Sequence, residues 1–267
     1  MKCIRFPQAA VAAFALASSP LPAHFSVYYQ QDSPVRVNGR PLELIYVDGQ
    51  DAELREDMPT ANFDGGTGGP DGVDGPMSLA SVSGDDPPGS GMASAYLLKF
   101  EEIFSGKYVP IPAGATIESA FLILDYGDLG DDHAMLRSEV PWTDASATWD
   151  NFGSPSDGVL PGTDATPLRA VTLYDDKLAI DVTPEVTGWA GAPATNQGWA
   201  FLPTGPDGAD VKNNHWKDPA QPNDGIPLWV PTGVWGARDP MGVLRLTNPV
   251  LLNEGAFGAP ALVIQFA

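Results

Sequence analysis

The sequence predicts an all-β fold, a jelly-roll-like antiparallel β-sandwich in a single domain, and three observations carry that expectation. The 29 Gly and 27 Pro are spread through all 267 residues, which favours many short strands joined by turns. Apolar runs of strand length recur, among them Tyr96 to Phe100 (YLLKF), Ala120 to Leu124 (AFLIL) and Ala261 to Phe266 (ALVIQF). No stretch sustains a helical period. With 43% apolar residues and seven Trp there is material for a substantial core, since a chain of this length buries roughly 70 to 75% of its unfolded surface.

In chain order, residues 1–17 carry Lys2 and Arg5 ahead of the short apolar run Ala9 to Ala17. That is the pattern of a secretory signal peptide, cleaved after Ala17 or as late as Ala23, and the run is too short to span a bilayer. Residues 18–41 are mixed and turn-rich and are expected to be a linker or an early edge strand. The sandwich proper is expected over residues 42–267, beginning with Leu42 to Asp48 (LELIYVD) as its first clear strand. Asp64 to Gly91 is dominated by Gly, Pro, Asp and Ser, and a loop that long is either disordered or held by a ligand.

Beyond it, Lys177 to Val182 alternates, with Leu178, Ile180 and Val182 on one face. Ala134 to Val140, Trp199 to Leu202 and Val243 to Leu246 complete about nine strands by turn spacing. Val182 to Trp189 is the best candidate for one helical turn, with Pro184 tolerated at its start. Pro-x-Gly in PAGA gives a tight entry to the AFLIL strand. Trp142 and Trp149 are expected to cap the core where the chain crosses between sheets.

Charge narrows the function. The 34 acidic and 14 basic residues give a formal charge of −20, and about −22 once Lys2 and Arg5 leave with the leader. Nucleic acid and anionic membranes are poor partners for that surface, because phosphate binding needs clustered Lys and Arg. The only cysteine, Cys3, lies in the leader, so the mature chain has neither disulfide nor thiol chemistry. An export signal without downstream cysteines points to a bacterial secreted or surface protein.

Of the acids 25 are Asp and 9 are Glu, and Asp gathers in Gly-rich loops where short carboxylates and carbonyls converge on a hard cation. A calcium site is expected from Asp51, Asp64, Asp71 and Asp74, with loop carbonyls completing about six to eight oxygens. Asp125, Asp128, Asp131 and Asp132 form a second acidic cluster of the same character; salt adaptation and plain solubility are the competing explanations of the charge. A sugar-binding face is expected from Trp216, Trp229 and Trp235 with Lys212, Lys217 and Arg238. Pyranose rings stack on flat aromatics while polar groups fix hydroxyl orientation. Trp142, Trp149, Trp189 and Trp199 are expected to serve packing.

Catalysis finds little support. There is no G-x-S-x-G elbow and no H-E-x-x-H, and only His24, His133 and His215 are available. The chain is therefore expected not to be an enzyme; the alternative is a polysaccharide lyase or hydrolase working through a carboxylate pair among its 34 acids.

Six blocks in order resemble a known family: DAELREDMPTANF at Asp51 to Phe63, YLLKF at Tyr96 to Phe100, PAGATIESAFLIL at Pro112 to Leu124, the Trp142, Thr148 and Trp149 spacing, DVT through NQGWAFLP at Asp181 to Pro203, and PALVIQF at Pro260 to Phe266. Together they look like the DNRLRE domain, also described as carbohydrate-binding module family 96, over about Leu42 to Ala267. The resemblance implies a secreted jelly-roll-like sandwich, often attached to polysaccharide-active enzymes or surface proteins, that binds polysaccharide in some members. Asp64 to Gly91 and Asp210 to Val243 are longer than the family pattern, and the basic side chains implied for alginate binding are scarce here. The leading expectation is an extracellular, non-catalytic polysaccharide-binding module. Alternatives are a self-assembling subunit of a filament, surface layer or matrix, and a lyase or hydrolase.

Overall fold

The computed structural model describes residues 25–31, 33–37, 40–64, 79–109, 111–112, 115–153, 157–173, 177–206, 208–212 and 260–267. Within them the chain is an all-β sandwich of two antiparallel sheets with one α-helix. The strands in chain order are β1 (Phe25–Gln30), β2 (Ser33–Val37), β3 (Arg40–Tyr46), β4 (Gly49–Arg55), β5 (Phe63–Asp64), β6 (Leu79–Val82), β7 (Ser94–Phe100), β8 (Ile117–Asp128), β9 (His133–Ser138), β10 (Ala165–Val171), β11 (Lys177–Asp181), β12 (Trp199–Pro203), β13 (Ala209–Lys212) and β14 (Ala261–Phe266), with α1 (Thr183–Gly191) between β11 and β12. The larger sheet runs β3-β2-β1-β14-β8-β13-β6, with β11 also on β8, and the smaller runs β10-β9-β12-β7-β4-β5.

The main core lies between the sheets. Leu122, Leu124 and Ile264 of the larger sheet meet Tyr96, Leu98, Trp199 and Phe201 of the smaller one, all buried. Alternation produces this packing: on β8, Ala120, Leu122, Leu124 and Tyr126 face inward, while Ile123 packs with Tyr28, Ala261 and Val263 in a separate cluster. α1 follows β11 directly. Thr183 Oγ1 donates to Asp181 Oδ1 (2.6 Å) and accepts from the amide of Ala120 (2.9 Å), and Trp189 lays its ring 4.8 Å from that of Trp199. The helix therefore closes one end of the core.

Several expectations change. Residues 18–41 contain β1 and β2, which lie inside the larger sheet rather than forming a linker or its edge, because β1 pairs with β14 along six positions and with β2 on its other side. The edge strand is β3. The run Asp51 to Phe63 supplies most of β4 and the start of β5, and β6, β10 and β13 are strands beyond those the sequence predicts. In β4 the acids Asp51 and Glu53 take interior positions, which inverts the polarity that alternation leads one to expect. Val243 to Leu246 lies outside the described residues.

A second apolar cluster covers the outer face of the smaller sheet. There Trp142 and Phe152 pack over Leu54, Leu97, Leu136 and Ala200, so the paired tryptophans sit on the back of that sheet rather than over the junction of the two. Lys99 is part of this layer, its Nζ donating to the Trp142 carbonyl (2.8 Å), 4.9 Å from the indole centre and paired with Glu101 (2.6 Å).

Candidate functional site

One end of the larger sheet gathers the roots of the segments that carry the expected ligand groups. β13 is hydrogen-bonded between β8 and β6. Ala209 and Val211 are buried opposite Val82 and Ala80, and this four-residue wedge of small apolar side chains fixes the strand in the core. The alternate register positions pair Asp210 with Ser81 and with Asp128, and Lys212 with Leu79. Leu79 is the first described residue after Asp64, so β6 interrupts the stretch Asp64 to Gly91 expected to be one long loop, and Lys212 is the last described residue before the tryptophan-bearing segment. The two segments thus enter and leave the sheet at directly opposed residues.

The corner is braced across the sheets. Ser94, at the start of β7, receives a bond from the Ser83 amide on its Oγ (3.0 Å), and that Oγ donates to the Ser81 carbonyl (3.0 Å). Nearby, Asp132 Oδ1 accepts from the amide of Leu173 (2.9 Å), and its carbonyl accepts from the amide of Thr204 (3.0 Å) and from the Thr204 hydroxyl. A Cβ at Gly205 would come within 1.9 Å of Asp131 Oδ2, so the two loops meet without room for a side chain at Gly205. Asp132 of the second acidic cluster is thereby a loop clamp, and Asp125 is buried on β8.

Of the expected calcium ligands, Asp51 is a strand residue, 4% exposed in β4. Asp64 ends β5 at the register position opposite Ala52, one step along from Asp51. Asp71 and Asp74 lie outside the described residues, as do Trp216, Trp229, Trp235, Lys217 and Arg238; Lys212 closes β13. Among the described residues no group of three or more His, Cys, Asp and Glu is disposed to hold a metal ion. Trp142, Trp189 and Trp199 are buried, and Trp149 is half-buried against the outer cluster, so these four serve packing.

A polar row that no sequence motif announces lies inside the sandwich. Asp51 and Glu53 of β4, Tyr96 of β7, Tyr126 of β8 and His133 of β9 are all buried between the sheets. Burial raises the Tyr96 hydroxyl well above its ordinary range, and the neighbouring Asp51 and Tyr126 push it the same way. His133 is fully buried with its ring 5.6 Å from that of Tyr126, and burial lowers it to about 4 against the opposing pull of Asp132. The hydroxyls of Tyr96 and Tyr126 and both nitrogens of His133 have no hydrogen-bond partner among the described residues. The DAEL run at Asp51 to Leu54 enters above only within a block of the family resemblance and through Asp51 as an expected calcium ligand; its acids at every second position, Asp51 and Glu53, are the local signal for a polar stripe on one strand face.

No helix among the described residues is long and apolar enough to cross a membrane. Comparison with protein-family models and with curated proteins finds no match to this chain.

Proposed function

We propose that the chain is a secreted, non-catalytic binding module for extracellular or cell-wall polysaccharide, stabilised by calcium, of the kind described as the DNRLRE domain or carbohydrate-binding module family 96. The observation that carries this reading is the pairing of Lys212 with Leu79. Lys212 is the last described residue before Trp216, Trp229 and Trp235, and Leu79 the first after Asp71 and Asp74; on this reading the aromatic groups and a calcium ion share the region beyond this pair. The ordered resemblance of six sequence blocks supports the same reading, and the leader-like residues 1–17 support export. A charge of −20 favours a neutral or weakly charged glycan over a polyanion unless calcium bridges the two.

A platform of this kind fails when one stacking ring is removed, because contact area disappears while the sandwich core stays in place. Trp216→Ala and Trp229→Ala are each expected to weaken retardation in affinity electrophoresis on a polysaccharide panel, by about tenfold in affinity for a stacking contact of about 1 to 2 kcal/mol. Circular-dichroism melts of both variants should match the parent. Full retention of binding in both, or no retardation of the parent on any glycan, removes the platform. A second reading, a structural subunit of an extracellular filament, surface layer or matrix, is favoured by the exposed edge of β3, where Leu42 and Ile45 are 38% and 42% exposed.

A further inference from the structure

A lysine is seldom buried, yet the side chain of Lys99 in β7 is only 3% exposed, lying under Trp142 on the outer face of the smaller sheet. Its neighbour across the ladder is Gln50 of β4, the residue directly opposite in the register. Side chains so placed share one face of the sheet, with Cβ atoms about 4.5 to 5.5 Å apart. Glu101, one residue past the end of β7, connects the two. Its Oε1 pairs with Lys99 Nζ (2.6 Å) and its Oε2 accepts from Gln50 Nε2 (2.5 Å).

The remaining contacts orient the pair. Gln50 Oε1 accepts from the backbone amide of Asp144 (3.4 Å), so the carboxamide carbonyl points at an N–H donor. Lys99 Nζ also donates to the Trp142 carbonyl (2.8 Å) and lies 4.9 Å from the indole centre, which holds the amine at the end of its stem. The ion pairs Arg55–Asp57 and Arg137–Glu139 are partly open to water at both partners and hold no carboxamide. Around Lys99 an amine, an acyl group, a carboxylate touching both and a donor on the acyl oxygen stand together, and these are the parts of an acyl transfer.

We propose that Lys99 and Gln50 condense into an intramolecular isopeptide bond, with Glu101 as the proton carrier and ammonia as the leaving group. Glu101 Oε1 takes one proton from the Lys99 ammonium, and the freed lone pair attacks Gln50 Cδ. The carbonyl electrons move onto Oε1 of Gln50, facing the Asp144 amide. Glu101 then delivers its proton to Gln50 Nε2 and takes a second from the attacking nitrogen. As the oxyanion collapses, the Cδ–Nε2 bond breaks and ammonia departs, removing the second proton as ammonium and restoring the carboxylate. The third proton stays on the new amide, where it donates to the Trp142 carbonyl as before. No oxidant or further reactant is consumed. Proximity supplies the drive that an amine and an amide lack in solution, and Glu101, 37% exposed, opens the path by which ammonium leaves.

The bond would close a ring from residue 50 to residue 99 within the β4–β7 ladder, restraining the unfolded chain in the manner of a disulfide. Cys3 is the only cysteine in the sequence, so no disulfide within the chain can do this. The cross-link stands apart from glycan binding, and its failure leaves the polysaccharide reading untouched.

Tryptic peptide mapping of the full chain by mass spectrometry tests it. The expected product is a branched peptide joining the Gln50 segment to Lys99, uncut after Lys99 and lighter by one ammonia than its two parts together. On a denaturing gel the linked chain, compacted by its ring, should run ahead of the unlinked one. Lys99→Met keeps the buried stem without the amine and should abolish the branch. Glu101→Gln, at a partly exposed position that leaves the core untouched, should fold as the parent does and link about a hundredfold more slowly or less. Three results would each overturn the proposal. They are a parent that is cut after Lys99 with no loss of ammonia even after long incubation at mildly alkaline pH, a branch that ends on a residue other than Gln50, and a Glu101→Gln chain that links as fast as the parent.

Discussion

At the scale of single residues, His133 is the clearest case of chemistry set by surroundings. An imidazole ordinarily titrates near 6.5, and burial against Tyr126 brings His133 to about 4 in the folded chain. Between those values the unfolded chain binds a proton that the folded chain refuses, so the fold loses stability as pH falls from about 6.5 to about 4. The loss attributable to this residue is on the order of 3 kcal/mol at full extent, from about 1.4 kcal/mol per unit. Since acidification also relieves repulsion among the carboxylates, the effect is read as a difference. Urea unfolding of the parent and of His133→Gln at several pH values is expected to show the parent losing ground to the variant below pH 6.5. A constant difference across that range would mean that His133 is not held neutral. Tyr96 and Tyr126 belong to the same row, and their phenol groups are likewise held neutral by burial, which raises both well out of reach of ordinary pH.

At the scale of elements, the turn into β12 shows how one position fixes a strand. Asn196 donates from Nδ2 to the Phe100 carbonyl (2.7 Å), while Gly198 takes φ +71 with its Cα against β7, where an added Cβ would lie 2.2 Å from the Leu98 carbonyl oxygen. Glycine is required twice over there, by the left-handed backbone and by the approach of another strand. Gly198→Ala is expected to destabilise the domain by about 3 kcal/mol or more, because the contact is with backbone that cannot rotate away. Thermal melts would show a shift of several degrees, and an unchanged midpoint would contradict the close approach. The neighbouring Trp199 is fully buried against Trp189, so displacement of this turn also disturbs the packing of α1.

At the scale of the whole molecule, the excess of acid is the dominant feature, with 34 acidic residues against 14 basic ones. Repulsion of this size opposes the compact state, and an ion bound only by the folded chain offsets it by mass action. Millimolar calcium is expected to raise the melting temperature, and a chelator to lower it. Magnesium at equal concentration controls for simple screening. Identical curves in calcium and chelator would remove the ion and leave salt adaptation or solubility as the reason for the charge.

Sequence alone determined the fold class and the strands with strong apolar runs. Tyr96 to Phe100, Ala120 to Leu124 and Ala261 to Phe266 all lie within the strands β7, β8 and β14, because a run buried on both faces is visible in composition. Val182 to Trp189 coincides with α1 to within two residues at either end, signalled by its early proline. The burial of Trp142, Trp189 and Trp199 was legible as well, from their place in strand and turn motifs. Tertiary structure alone decided where polarity and proximity depart from local pattern. Asp51 and Glu53 enter the interior because β4 is held between β7 and β5 in a register that leaves their positions facing the other sheet, and no local signal reports that. The opposition of Lys212 to Leu79 joins residues more than a hundred positions apart in the chain. Such a pairing is set by the hydrogen-bond register of three strands around β13, a non-local quantity that neither propensity nor periodicity contains.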